Sequence, residues 1–265
     1  MNYNNIINII EEVAPLSVAA TWDNSGVQVA SSQDEIFCLA VCLDPTPESV
    51  YKASELGANM ILSHHPLGLR PRFPTIIDNY YSVLKLLLSK NILLYSAHTS
   101  LDANLYGPAS WLAEVLELHE CSVLESIHTT NGVSSQYGFG RIGHFSSPVP
   151  VENFCQRIYP LIGEAVPRLI GELPRQIYRV AFCPGAGAEY AAEAARQKAD
   201  ILITGDVKYH QALEFSLPVL DVGHFCLEEE MMRRFSQYLQ SVLLDVTVVF
   251  VPTQDPLRSF CIKEN

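Results

Sequence analysis

The sequence predicts an α/β protein, and three observations carry that prediction. Short apolar runs rich in Val, Ile and Leu alternate with segments of helical periodicity, several of the runs stop abruptly on turn residues, and a strand-helix rhythm recurs in both halves of the chain. A length of 265 residues allows a substantial core and suits two domains of ordinary size.

Composition narrows the function classes. A hydrophobic share of 48% and a charged share of 17% fit a soluble globular protein without long disorder. No stretch reaches the ~18 uncharged apolar residues of a membrane helix, so no membrane partner is expected. Residues 1–12 contain no basic region and no clean apolar stretch before a small-residue cleavage site, so a cytoplasmic location is expected. The seven cysteines form no CxxC pair, and Cys38, Cys42 and Cys183 sit in strand-like apolar runs, which predicts reduced, buried thiols. The formal net charge of -12 argues against a nucleic-acid groove, which needs clustered Lys and Arg. An anionic substrate would need local positive charge, and bound metal ions can supply it.

In chain order, Ile6, Ile9, Ile10 and Val13 fall at helical spacing over residues 3–13, ahead of Pro15. Residues 21–29 are turn-rich, with Trp22 either packed on the core or lining a pocket with Asp23. A strand over 36–43 leads to Thr46-Pro47-Glu48, an N-cap followed by proline at the first helical position, and the helix 47–56 ends at Gly57. The next strand, 59–62, runs into Ser63-His64-His65-Pro66. After a proline-punctuated loop come a helix over 76–89 and a strand over 91–96 that ends on Ala97-His98-Thr99-Ser100-Leu101-Asp102. A helix over 109–118 closes this region, and residues 128–148 predict an exposed strand or hairpin opening a second domain. Then follow a helix over 149–162, a strand over 178–183, a helix over 188–198, a strand over 201–203, a helix over 207–214, a strand over 218–222, a helix over 226–240 and a strand over 246–250.

Four of the eight histidines, His64, His65, His98 and His224, fall at or just past predicted strand ends. His224 and Glu228 are four residues apart, which on a helix puts both on one face, and His98 and Asp102 share that offset. Adjacent His64 and His65 can face one site only where the strand has ended, and Pro66 supplies the break. Neutral imidazoles mixed with carboxylates suit divalent zinc, manganese, iron, cobalt or nickel. Three or four histidines with two carboxylates exceed the needs of one ion, so two ions ~3.5–4 Å apart and bridged by a carboxylate form the economical arrangement.

Competing constellations are weaker. Cys183-Pro184-Gly185-Ala186-Gly187 reads as a tight strand-to-helix turn or as a glycine-rich phosphate turn, though it lacks a full GxGxxG and a P-loop lysine. Asp206, Lys208 and His210 form either an acid/base cluster or a solvated helix start. No GxSxG elbow occurs. Glu229 and Glu230 read as solvated charges.

Five segments carry a family resemblance: Trp22-Asp23-Asn24 with Gly26, Ser63-His64-His65-Pro66-Leu67, Ala97-His98-Thr99 with Leu101-Asp102, Thr204-Gly205-Asp206, and Gly223-His224-Phe225 with Glu228. In type and order, over nearly the whole chain, they resemble the dinuclear-metal proteins of the GTP cyclohydrolase 1 type 2-like family. The resemblance implies two divalent ions held by His64, His65, Asp102, His224 and Glu228, with Glu228 as the bridge and His98 behind the ligands, orienting the site. It also implies two α/β domains around mixed sheets, residues 1–127 plus 220–265 and a smaller 128–219, with the metal site at strand carboxyl ends between them. A toroidal homohexamer with the metal sites facing its interior is expected with it. Ser25 stands where the family usually has an apolar residue and Ser100 where it often has asparagine, and the middle domain of longer members is missing.

The function implied is a metal-dependent hydrolase on a small molecule such as a nucleotide, with water attacking C8 of the guanine imidazole ring and formate released. Asp206 and His210 are candidates for proton transfer. The alternatives are a two-metal phosphoester hydrolase on nucleotides and a non-catalytic metal-binding or regulatory ring protein.

Overall fold

The computed structural model describes residues 1–129, 132–163 and 166–258. Contacts divide the chain into two compact units, Met1–Pro108 with Glu229–Thr253, and Ala109–Glu228 with Gln254–Asn265.

The elements follow the predicted α/β alternation. Helix α1 (Tyr3–Val13) starts after Asn2, whose side chain accepts the Asn4 amide, and buries Ile6 and Ile10. Strands β1 (Gly26–Val29) and β2 (Cys38–Cys42) precede α2 (Pro47–Glu55), where Thr46 accepts the Ser49 amide and Pro47 opens the first turn, as its N-cap pattern predicts. Then come β3 (Met60–Ser63), α3 (Asn79–Lys90), β4 (Leu93–Ser96) and a single turn, α4 (Thr99–Asp102).

The chain continues through α5 (Trp111–Val115), β5 (His119–Thr129), β6 (Gly132–Pro150), α6 (Val151–Ile158), β7 (Arg168–Ile170) and β8 (Gln176–Phe182). It ends with α7 (Ala191–Arg196), β9 (Ile201–Thr204), α8 (Tyr209–Ala212), β10 (Val219–Asp221), α9 (Phe225–Val242) and β11 (Thr247–Phe250).

The first unit holds a five-stranded sheet in the order β1-β4-β3-β2-β11. Strands β4, β3, β2 and β11 are parallel, and β1 runs antiparallel on the edge beside β4. Every residue of β2, β3 and β4 is buried, which explains why these strands read as continuous apolar runs instead of alternating ones. Ala40, Cys42, Ile61 and Leu94 of the sheet share one core with Val50 and Ala53 of α2 and with Val83 and Leu87 of α3.

The second unit holds a six-stranded mixed sheet, β5-β6-β8-β9-β10-β7, in which β8, β9 and β10 are parallel. Ala191 and Ala194 of α7 pack with Ile142, Ala181, Leu202 and Val219. Mixed sheets in both units agree with the expected fold class.

Several boundaries differ from expectation for local reasons. Helix α3 begins at Asn79, not at 76, because the Asp78 side chain caps it by accepting the Tyr81 amide, and Ile76 and Ile77 stay outside and exposed. Asn91 takes a left-handed conformation (φ 54) after α3, which delays β4 to Leu93. Helix α5 stops early, at Val115. Glu117 is left-handed (φ 57), and β5 starts at His119, nine residues ahead of the glycine- and serine-rich stretch expected to open the hairpin. Residues 130 and 131, within that expected hairpin, lie outside the described residues. The helices expected over 188–198 and 207–214 shorten to α7 and α8.

Cys38 and Cys42 are buried as expected, but Cys121, Cys183 and Cys226 are half-buried and Cys155 is exposed. None of these six thiols forms a disulfide among the described residues, and Cys261 lies outside them. Among the described residues no helix is long and apolar enough to cross a membrane.

Candidate metal centre

In the first unit the parallel strands end at one level, because Cys42 of β2 pairs with Ser63 of β3 and Ser63 pairs with Ser96 of β4. The residues that follow emerge side by side: Asp44, His64-His65 and His98. Strand β1 starts at Gly26 opposite Ser96, so Asp23, just before it, joins the same edge. The carboxyl end of a parallel sheet is where α/β proteins build their sites.

Two hydroxyls fix the backbone there. Ser96 Oγ donates to the His64 carbonyl and Ser63 Oγ to the His65 carbonyl, each at 2.7 Å. With the strand ended, both adjacent imidazoles reach one site, as Pro66 predicts: their ring centroids lie 5.0 Å apart. The His98 ring is 5.2 Å from His64 and 5.5 Å from His65. One ring nitrogen from each lies within 4.8 Å of the other two, close enough to hold a metal ion. Asp102 brings its Oδ1 to 3.7 Å from His64 Nε2.

Each of these rings is oriented from its other nitrogen. His64 Nδ1 faces the Ala97 carbonyl at 2.9 Å, His65 Nδ1 faces Asp44 Oδ1 at 2.7 Å, and His98 Nδ1 faces Asp23 Oδ1 at 2.7 Å. A carbonyl only accepts, so His64 Nδ1 carries the hydrogen and Nε2 keeps the lone pair; a carboxylate imposes the same tautomer on His65 and His98. Asp23 is itself tied down. Beyond His98 it accepts Ser25 Oγ at 2.6 Å, Thr99 Oγ1 at 2.5 Å and the Thr99 amide at 3.1 Å. Burial alone would raise its pKa, but the hydrogen bonds from His98, Ser25 and Thr99 outweigh burial and hold the carboxyl well below the usual carboxylate range.

The second unit repeats the construction. Phe182 of β8 pairs with Ile203 of β9, and Thr204 of β9 with Asp221 of β10, so Gly185, Asp206 and His224 emerge near one another beyond the strand ends. His224 Nδ1 contacts Asp206 Oδ2 at 2.8 Å, and His224 Nε2 lies 3.0 Å from Glu228 Oε2, as the four-residue spacing predicts. Glu228, in the first turn of α9, is buried. A Cβ on Gly185 would meet Glu228 Oε1 at 2.0 Å, so the missing side chain at Gly185 is what makes room for the carboxylate. The glycine-rich turn is therefore a tight strand-to-helix turn built around an acid, not a phosphate cradle. Asp221, also buried, accepts the Gly223 amide at 3.0 Å and the Val207 amide at 3.3 Å and pairs with Arg168, fastening both loops.

The Duf34/NIF3 (NGG1p interacting factor 3) family profile matches residues 1–256. The chain belongs to this family. A relative from Clostridium perfringens called "GTP cyclohydrolase 1 type 2 homolog" is 32% identical over 264 residues, covering 98% of this chain and 99% of its own. The structure of reduced HcgD from Methanocaldococcus jannaschii matches with a TM-score of 0.80 at 29% identity, over 96% of this chain and 98% of that one. The Staphylococcus aureus protein SA1388 matches with a TM-score of 0.86 at 25% identity, over 98% and 99% of the two chains. These likenesses agree with the resemblance read from the five sequence segments.

A Duf34/NIF3 chain implies bound metal, and the donor chemistry fits one. Four imidazoles, at 64, 65, 98 and 224, have Nδ1 turned to an oxygen acceptor, the arrangement that metal-ligating histidines use. The structure brings His64, His65, His98 and Asp102 together in one unit and Asp206, His224 and Glu228 in the other. His98, expected behind the ligands, lines the cluster itself. His210 is exposed, edge-on to the Tyr209 ring at 5.4 Å, and Asp206 has its carboxylate on His224. Trp22 is not packed on the core: it is 61% exposed. Glu229 is not simply solvated, since it accepts the Thr253 amide at 2.8 Å and Thr253 Oγ1 at 2.9 Å.

Sequence reasoning missed Asp44 and the roles of Asp221 and Gly185. Asp44 carried a signal, an acid at a strand end one position before Pro45. Nothing in sequence spacing pairs Gly185 with Glu228.

Proposed function

We propose that this Duf34/NIF3 member is a divalent-metal-dependent hydrolase acting on a nucleotide or related small molecule, with His64, His65, Asp102, His224 and Glu228 holding two ions of zinc, manganese, iron, cobalt or nickel. The observation that carries this reading is the set of four histidines whose Nδ1 atoms are each committed to an oxygen acceptor. A catalytic metal supplies Lewis acidity and brings the pKa of water from ~15.7 toward ~7.

The chain's own residues orient and move protons. Ala97, Asp44 and Asp206 hold the rings of His64, His65 and His224 in place, so Asp206 acts through His224 and not as the proton carrier. His98 has a better geometry for that task. Its Nε2 can accept a proton while the Asp23 carboxylate on Nδ1 offsets the imidazolium charge. The exposed His210 is left out of the chemistry.

The specific reaction proposed is opening of the guanine imidazole ring. One water adds at C8 and opens the ring, and a second releases C8 as formate, so two waters are consumed. The name carried by the Clostridium perfringens relative supports this choice. A homohexameric ring belongs to the same proposal, and light scattering should read six chains.

The test is metal analysis of wild-type protein, His65→Ala and Glu228→Ala, followed by formate assay with GTP. Each variant should lose bound ions, and metal-loaded wild type should produce formate. Unchanged two-ion stoichiometry in the variants overturns the ligand set. Phosphate without formate, with any of the five metals, overturns the ring opening in favour of phosphoester hydrolysis.

A further inference from the structure

Trp22 is one of two tryptophans in the chain, and the two are placed in opposite ways. Trp111 is 3% exposed, with its Nε1 donating to the Leu227 carbonyl at 3.0 Å. Trp22 is 61% exposed, and its ring meets His98 edge to face with centroids 5.9 Å apart. A single exposed apolar residue is ordinary on a protein surface. What sets Trp22 apart is how firmly the backbone on either side of it is held beside the imidazole cluster.

The indole sits in a turn closed by the Asp23 amide donating to the Ala20 carbonyl at 2.9 Å. Both ends of that turn are fastened to the residues around His98. The Ala20 amide donates to Thr99 Oγ1 at 2.9 Å, and the Asp23 carboxylate binds His98 Nδ1, Thr99 and Ser25. Asn24 Nδ2 reaches the Gly68 carbonyl at 2.8 Å, fixing the far side of the segment to the loop that follows His65. The backbone that carries Trp22 therefore cannot shift relative to His98 without breaking the bonds that orient His98. A large aromatic surface presented from a fixed backbone at the edge of a site is a form that ring recognition takes.

Charge narrows what it recognises. Asp23, Asp44 and Asp102 surround the imidazoles, and the chain carries a net charge of -12. Such a wall disfavours phosphate oxygens away from the metals, whereas a neutral planar ring stacks on an indole whatever its substituents. We propose that Trp22 is the specificity residue that stacks on the planar heterocyclic base of the substrate. This rests on the hydrolase reading above and names the part of the substrate that the chain itself holds.

The test separates Trp22 from the metals. Metal-loaded wild type, Trp22→Leu and Trp22→Phe are titrated by calorimetry with guanosine and with ribose 5-phosphate, and the metal content of each sample is measured. Guanosine should quench the exposed indole of the wild type. Its dissociation constant should rise about ten- to a hundredfold in Trp22→Leu, the usual cost of losing one stacked base, and change little in Trp22→Phe. Metal content and ribose 5-phosphate binding should stay unchanged. Guanosine binding equally well to Trp22→Leu, equal weakening of ribose 5-phosphate, or no guanosine binding to the wild type would overturn the proposal. Absence of ions from the wild type would instead count against the hydrolase reading, while the guanosine comparison on the same samples still decides the role of Trp22.

Discussion

Replacing Gly185 with alanine should damage the second unit by two separable routes. Gly185 has φ +65, where an alanine costs about 1–2 kcal/mol. The new Cβ would also sit 2.0 Å from Glu228 Oε1 and 3.0 Å from its Cδ. Glu228 is buried and its other oxygen lies 3.0 Å from His224 Nε2, so it cannot step aside without leaving the histidine. Overpacking of this kind adds about 1–3 kcal/mol. Gly223 is the control. Its φ is +79 and nothing lies within 4 Å of its Cβ position, so Gly223→Ala meets the backbone cost alone. Urea unfolding followed through the buried Trp111, with metal titration by calorimetry, should show Gly185→Ala less stable than Gly223→Ala by about 1–3 kcal/mol and weaker in metal binding. Equal stability and equal metal affinity of the two variants would refute the packing of Glu228 against Gly185.

Two further outcomes follow from the titrating groups. Asp23→Asn removes a carboxylate whose folded pKa lies below its unfolded value, so the lost stabilisation, about 2–3 kcal/mol, is fully present at neutral pH and shrinks as the pH falls below about 4; a wild-type advantage in unfolding midpoint that persists undiminished at pH 2 would contradict this. Burial pushes the Cys226 thiol up to about 11, with smaller contributions from Asp255 and Glu228, so peptide mapping after iodoacetamide treatment should find exposed Cys155 alkylated at pH 8 and Cys226 largely spared until the pH approaches 11.

The parts of the site that were legible in the sequence are those set by one element. An apolar run halting on His64-His65-Pro66 announces a strand end, and four residues between His224 and Glu228 announce a helix face; both geometries are present. Strand β1 was not legible. Its first residue, Gly26, closes the Asp23-Asn24-Ser25-Gly26 turn signal, and the segment becomes a strand because Gly26 and Val27 pair with Ser96 and Tyr95, some seventy positions away. Glu229 reads as a solvated acid beside Glu230 until the Thr253 amide and hydroxyl are brought to it.

The same division explains why the orienting role of these acids escaped a reading that found the histidines. In each case the acceptor on an imidazole comes from the neighbouring strand and not from its own. His65 follows β3 and is held by Asp44 after β2; His98 follows β4 and is held by Asp23 before β1; His224 follows β10 and is held by Asp206 after β9. Even His64, after β3, uses a carbonyl just past β4. Each of these strand pairs is adjacent in its sheet, with register that brings the two site-facing strand ends to one level, the start of antiparallel β1 and the carboxyl ends of the others. A strand end carrying a histidine is a local fact, whereas its tautomer and orientation depend on which strand pairs with it and in what register. The nitrogen that each ring turns toward the candidate site is thus selected by sheet pairing, which means that these strand pairs must form before the imidazoles are oriented.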